Sequence, residues 1–188
     1  MLRYLIDTVD IALIISTPER AGGGLDLFDI DVDSSHGNGP EGLSYGGFAL
    51  MSRGEGGGAL YWKTLLPPEA ADSTGFAELH MCTRALKVAV AVRMLQRDLQ
   101  LDVAPTGPTV LHTDAQAVLD GTGCERMHLM SRWMSVRLAL MRWGLVTREI
   151  EPAKRASAAM VSDILTKPLV GVAFAKARER ILGVIPRP

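Results

Sequence analysis

With 188 residues, 47% of them hydrophobic and 22% charged, the chain has the length of one ordinary domain and can bury a core. A formal net charge of -1 excludes nucleic-acid binding through bulk charge, so any such partner has to meet a local basic patch. Cys82 and Cys124 form no CxxC pair, and no run reaches the ~18 uncharged apolar residues of a membrane span. A disulfide framework, a zinc site and a spanning helix are therefore not expected, and the chain reads as soluble and intracellular.

Residues 1–20 are an amphipathic opening stretch closed by Pro18 and by Gly22, Gly23 and Gly24; it reads as the tail of something upstream. From 25 to 33, "LDLFDIDVD" alternates, which predicts a strand with Phe28, Ile30 and Val32 on one face and Asp29, Asp31 and Asp33 on the other. Three aspartates in line are either a solvated face or a cluster. Two more strands follow at 43–51 and 59–65, separated by glycine-rich turns. Twelve of the 19 glycines lie between 22 and 58, as an antiparallel meander requires.

Pro67 and Pro68 end the meander, and Asp72, Ser73 or Thr74 can cap a long helix reaching about Leu99. Its apolar stripe is Met81, Cys82, Ala85, Val88, Ala89, Val92, Leu95 and Leu99. One turn before Met81 and Cys82 stands Glu78, an acid at the head of a core stripe, where burial is costly unless something pairs with it. After the loop "DVAPTGP" comes "VLHTDAQAVL" (110–119), a strand running into a helix with Asp114 at the junction. A carboxylate at the carboxyl end of a buried strand is where open α/β sheets place their chemistry, although Asp is also an ordinary helix cap.

A further helix is expected over 131–143, ended by Gly144, then a short strand in "LVTREIEP". A helix follows from Ser157 through "SAAMVSDIL" to the break at Pro168, and the amphipathic "AFAKARERIL" closes the order. His112, two residues before Asp114, shares its strand face and reads as a core or rim histidine bordering the junction. Trp62 and Trp143 read as core residues.

Four stretches together resemble a known family. "SDILTKPL" (162–169) is close to an alanine–aspartate–isoleucine–leucine/phenylalanine–threonine–lysine–proline–leucine run, "LRYLIDTVD" (2–10) looks like a connector, "STGFAEL" (73–79) looks like "SSTEAEY", and "LHTDAQAVL" (111–119) looks like "YCDNQSAI". The family is the ribonuclease H domain that ends copia-type retrotransposon polyproteins, and the similarity spans nearly the whole chain. The resemblance implies an α/β ribonuclease H-like fold, a mixed five-stranded sheet of three antiparallel strands and then two parallel ones, flanked by helices. It implies a connector tail from an upstream reverse transcriptase over 1–21 and the ribonuclease H-like domain over 22–188.

The resemblance also implies four carboxylates: Asp31, Glu78, Asp114 and Asp163. Asp33 competes with Asp31 for the first position, since both lie on one strand face; the family's "SDADW" motif favours the earlier one. Such acids would hold two divalent ions, Mg2+ or Mn2+, which activate a water and neutralise the leaving oxygen. The implied activity is endonucleolytic hydrolysis of the RNA strand of RNA–DNA hybrids during reverse transcription, in cytoplasmic virus-like particles or the nucleus. Arg126, Arg132, Arg137, Arg142 and Lys154 are the candidate surface for the hybrid. The chain departs from the family at Ser34 (a tryptophan there), in "EGLSYGG", and at Trp133 and Ser135 within "RWMSVR". A catalytically silent, nucleic-acid-binding remnant is the competing reading, and another nuclease or transferase on the same fold is the third.

Overall fold

The structure, a computed structural model, describes residues 13–14, 28–53, 56–68, 70–99, 107–123 and 132–183. Strands β1 (Phe28–Ser35), β2 (Tyr45–Ser52) and β3 (Ala59–Leu65) form the meander, and the long helix α1 (Thr74–Asp98) follows. Then come β4 (Thr109–Thr113), α2 (Gln116–Gly123), α3 (Arg132–Val146), β5 (Ile150–Lys154) and two closing helices, α4 (Asp163–Thr166) and α5 (Gly171–Leu182). The sheet order is β3-β2-β1-β4-β5. β1 pairs antiparallel with β2 and parallel with β4, and β4 pairs parallel with β5, as the expected mixed sheet requires.

Alternation in β1 sorts its side chains as the sequence predicts. Phe28, Ile30 and Val32 join Phe48, Leu50, Leu79, Leu86, Leu111, Leu138 and Met141 in the main core beneath α1 and α3. The opposite face carries a smaller core of Ala49, Met51, Ala59 and Val161, with Leu165 and Ile181 packed against it from α4 and α5. Asp31 and Asp33 lie on this second face and are buried, so the solvated-face alternative does not hold for them.

α1 begins where its capping signal places it: the Ser73 hydroxyl accepts the Phe76 N–H at 3.2 Å. Its second half departs from the expected stripe. Leu95 and Leu99 are exposed, and the buried line passes instead through Ala89, Arg93 and Gln96. Arg93 is buried because Glu149 pairs with it at 2.7 Å and Gly107 O accepts from it at 2.8 Å. A satisfied cation thus takes the place sequence periodicity assigned to leucine.

α3 runs past Gly144, which is buried against Leu86 and Ile150, and the reversal comes at Arg148, a non-glycine residue with φ 57°. The single helix expected from Ser157 to Pro168 is two pieces, a 3-10 turn over Ser157–Ala159 and α4, with Met160 extended between them. Trp62 and Trp143 are half exposed rather than core, because β3 is an edge strand and Trp143 lies on the outer side of α3. The connector expected at 1–21, with "LRYL", lies outside the described residues except for Leu13 and Ile14. Ile14 N–H donates to Leu182 O at 2.7 Å, and its carbonyl accepts from Gly58 N–H at 2.8 Å. Among the described residues no helix is long and apolar enough to cross a membrane.

Candidate metal centre

β1 and β4 run parallel side by side, so their carboxyl ends open at one edge, and the first turns of α1 pass over that edge. Asp33 stands near the end of β1, Asp114 directly follows β4, and Glu78 lies on the buried side of α1. One carboxylate oxygen from each of the three lies within 4.8 Å of the others. Asp33, not Asp31, is therefore the β1 acid that joins Glu78 and Asp114. The two share a strand face, but Asp31 sits one repeat deeper, where Arg155 pairs with it and Val161 N–H donates to it at 3.0 Å.

Glu78 is held in place by Ser34, whose backbone N–H donates to Oε1 at 3.0 Å. Its other oxygen, Oε2, is buried and has no hydrogen-bond partner. Burial first, and then the charges of Asp33 and Asp114, push the Glu78 carboxyl up to about 8. A hard divalent cation relieves both problems at once: it gives Oε2 a partner and offsets the mutual repulsion. The donors are all oxygens, which suits Mg2+ or Mn2+. The residues present thus fit the metal that the sequence resemblance implies.

Asp163 approaches from the second face at the start of α4. It is not one of the three mutually close acids, and it is joined to them through Lys167. That ammonium donates to Asp163 Oδ1 at 2.8 Å and to Asp33 Oδ1 at 3.3 Å. Burial raises the Asp163 carboxyl, Lys167 draws it back, and the Asp33 and Asp114 charges raise it again, leaving it above its ordinary value. Thr166 adds a hydroxyl donor to Asp33 Oδ2. The approach of α4 depends on Gly47, which pairs with Asp33 across β1 and β2: a Cβ there would meet Leu165 Cβ at 2.6 Å.

Lys167 and Thr166 are residues to which sequence reasoning assigned no role, and Arg155, which ends the basic stretch from Arg126 that the sequence offers to the hybrid, is turned onto Asp31 and Asp29. Lys167 and Thr166 stand inside "SDILTKPL", and Lys167 lies four residues after Asp163, the spacing at which helical side chains meet. His112 proves to be a rim residue, its Nε2 3.1 Å from Asp29 Oδ2. For Asp29, burial works upward, but the His112 hydrogen bond and then the Arg155 charge outweigh it, so its carboxyl lies low.

The candidate basic surface is only partly gathered. Arg126 lies outside the described residues, and only the backbone of Arg132 is described. Arg137 stacks over the Phe76 ring at 4.9 Å, close to the head of α1. Lys154 is exposed and donates to Gln116 Oε1 at 2.9 Å. Arg142 is turned inward, donating to Gly121 O at 2.8 Å, and so ties α3 to α2.

No family model matches the chain, and no curated protein matches it. Solved structures do. The N-terminal RNase H domain of a Mycobacterium tuberculosis protein superposes with a TM-score of 0.56 at 14% identity, covering 81% of this chain and 96% of that one. LC11-RNase H1, isolated from compost by a metagenomic approach, gives 0.56 at 16% identity, with coverages of 82% and 99%. A foamy viral protease-reverse transcriptase, solved in complex with dsDNA, gives 0.53 at 13% identity, with coverages of 75% and 92%. The mixed sheet, its strand order and these superpositions together establish that this chain has the ribonuclease H-like fold.

Proposed function

We propose that this chain is a metal-dependent endonuclease that hydrolyses the RNA strand of RNA–DNA hybrids, the ribonuclease H domain of a copia-type retrotransposon polyprotein. The observation that carries the reading is the convergence of Asp33, Glu78 and Asp114 with one buried oxygen left unpartnered. Three acids so placed destabilise a metal-free fold, so their meeting is explained by what they hold and not by stability. The LC11 enzyme on the same fold was solved with an RNA/DNA hybrid, which supports this substrate class. The "LRYL" and "SDILTKPL" stretches support the retrotransposon context, with 1–21 as the connector from an upstream reverse transcriptase and a cytoplasmic particle or the nucleus as the place of work.

When bound, two divalent ions would supply an activated water and charge neutralisation at the leaving oxygen. Asp33, Glu78 and Asp114 would hold them, with Asp163 at the flank. Arg137 beside the head of α1 and Lys154 beside α2 would meet the phosphate backbone, and affinity should then fall steeply with salt. A flat salt response would remove them from the interface.

The decisive experiment is cleavage of a labelled hybrid with and without Mg2+, beside Asp114→Asn. The wild type should cut only with metal, and the variant should fold and not cut. An Asp114→Asn protein that cuts like the wild type would sink the assignment. A binding domain without nuclease activity is the second reading. Lys167 favours it, because its ammonium already occupies the space between Asp33 and Asp163.

A further inference from the structure

The deepest acid of β1 has left the cluster and taken up another task. Asp31 is fully buried, and each of its oxygens has one partner: the Arg155 guanidinium on Oδ1 and Val161 N–H on Oδ2, at 3.0 Å. Arg155 directly follows β5 and prolongs the parallel ladder, its own N–H donating to Thr113 O at 3.1 Å. Its second nitrogen reaches Asp29 at 3.3 Å. Asp29, Asp31, Arg155 and His112 thus form one partly buried ionic network across β1, β4 and β5.

Val161 is where this network touches the closing segment. Its N–H is committed to Asp31, while its carbonyl accepts from Ile164 N–H at 3.3 Å and so begins the turn that becomes α4. Asp163 lies inside that turn. The extended backbone at Met160 directly precedes the clamped amide, which is why one continuous helix from Ser157 does not form. Stability alone does not account for two charges here, since a well-packed apolar pair of similar volume is often as stabilising or more so.

We propose that Asp31 is a positioning residue for the metal centre: with Arg155 it clamps the backbone at Val161 and thereby sets Asp163 against Asp33. This rests on the proposed function for its metal-binding arm and stands apart from it for its backbone arm. Asp33, in this division of one strand, faces the ions, and Asp31 places the acid that completes their surroundings.

The test uses the full chain as wild type, as the apolar pair Asp31→Leu with Arg155→Met, as Asp163→Asn, and as the triple combination. Mn2+ affinity is measured by calorimetry and the Val161 amide by hydrogen exchange. The apolar pair should keep its melting temperature, lose protection at Val161, and bind Mn2+ about tenfold more weakly, the scale of losing a group that orients a ligand. In the Asp163→Asn background the same pair should have no further effect on Mn2+, because the two act through one residue. Equal loss in both backgrounds would overturn the proposal, as would a Val161 amide that stays protected. A wild type that takes up no Mn2+ would overturn the proposed function instead. The clamp is then decided by the Val161 amide alone, protected in the wild type and released in the apolar pair.

Discussion

Glu78→Gln isolates the cost of the acidic cluster. Glutamine keeps Oε1 for the Ser34 N–H and removes the negative charge that burial and the neighbouring acids oppose. The folded Glu78 carboxyl, at about 8, binds a proton that the unfolded chain releases near 4.5. Stability conferred by that proton is complete below about 4.5 and is lost as pH rises through about 8, so the metal-free wild type weakens across this window. At 1.36 kcal/mol per unit the whole interval is worth ~5 kcal/mol, of which roughly 3 kcal/mol has gone by pH 7 and less than about 1 kcal/mol by pH 5. In a chain of this size the variant should melt roughly 2 °C above the wild type at pH 5 and on the order of 10 °C above it at pH 7, in EDTA. Adding Mn2+ should raise the wild type and leave the variant nearly unmoved. A gap that stays the same from pH 5 to pH 7 would refute the reasoning, for it would mean that Glu78 loses its proton as readily in the folded chain as in the unfolded one.

Two further substitutions probe the surroundings. Lys167→Met removes the ammonium that bridges Asp33 and Asp163, so it should lower the metal-free melting temperature and strengthen Mn2+ binding by about tenfold, a competing cation having gone. Calorimetry and a thermal melt in EDTA read the two effects, and weaker Mn2+ binding would make Lys167 a support of the site and not a rival for it. Arg93→Met leaves Glu149 paired with Arg97 alone at the far end of α1 and should cost about 1–3 kcal/mol in urea unfolding. It should leave Mn2+ affinity unchanged, because the pair lies at the opposite end of that helix.

Much of the fold was legible because its signals are local. The alternation of 28–33, the glycine turns and the Ser73 cap each act within a few residues, and the strands and α1 form close to where those signals lie. Glu78 and Asp114 were legible because each breaks a local pattern, an acid on a core stripe and an acid at a strand end. The choice between Asp31 and Asp33 was not, since periodicity gives both the same face. What separates them is Arg155, 124 residues further on. The division of 157–166 was hidden for the same reason, as the Val161 amide leaves its own segment to serve β1. Leu95 and Leu99 were misassigned because the leucine spacing is a good stripe by itself, and only the distant Glu149 makes Arg93 the better buried residue.

The position of β1 in the sheet bears on how the chain reaches this state. Its β2 partner arrives within a dozen residues, whereas its β4 partner begins only at Thr109, beyond the whole of α1. Until then β1 is an edge, with a row of unpaired N–H and C=O groups beside three aspartates. Charges on an edge discourage the pairing of one chain with another. On a meander that still lacked β4 these aspartates would work against association, a use separate from their places beside Arg155 and beside Glu78.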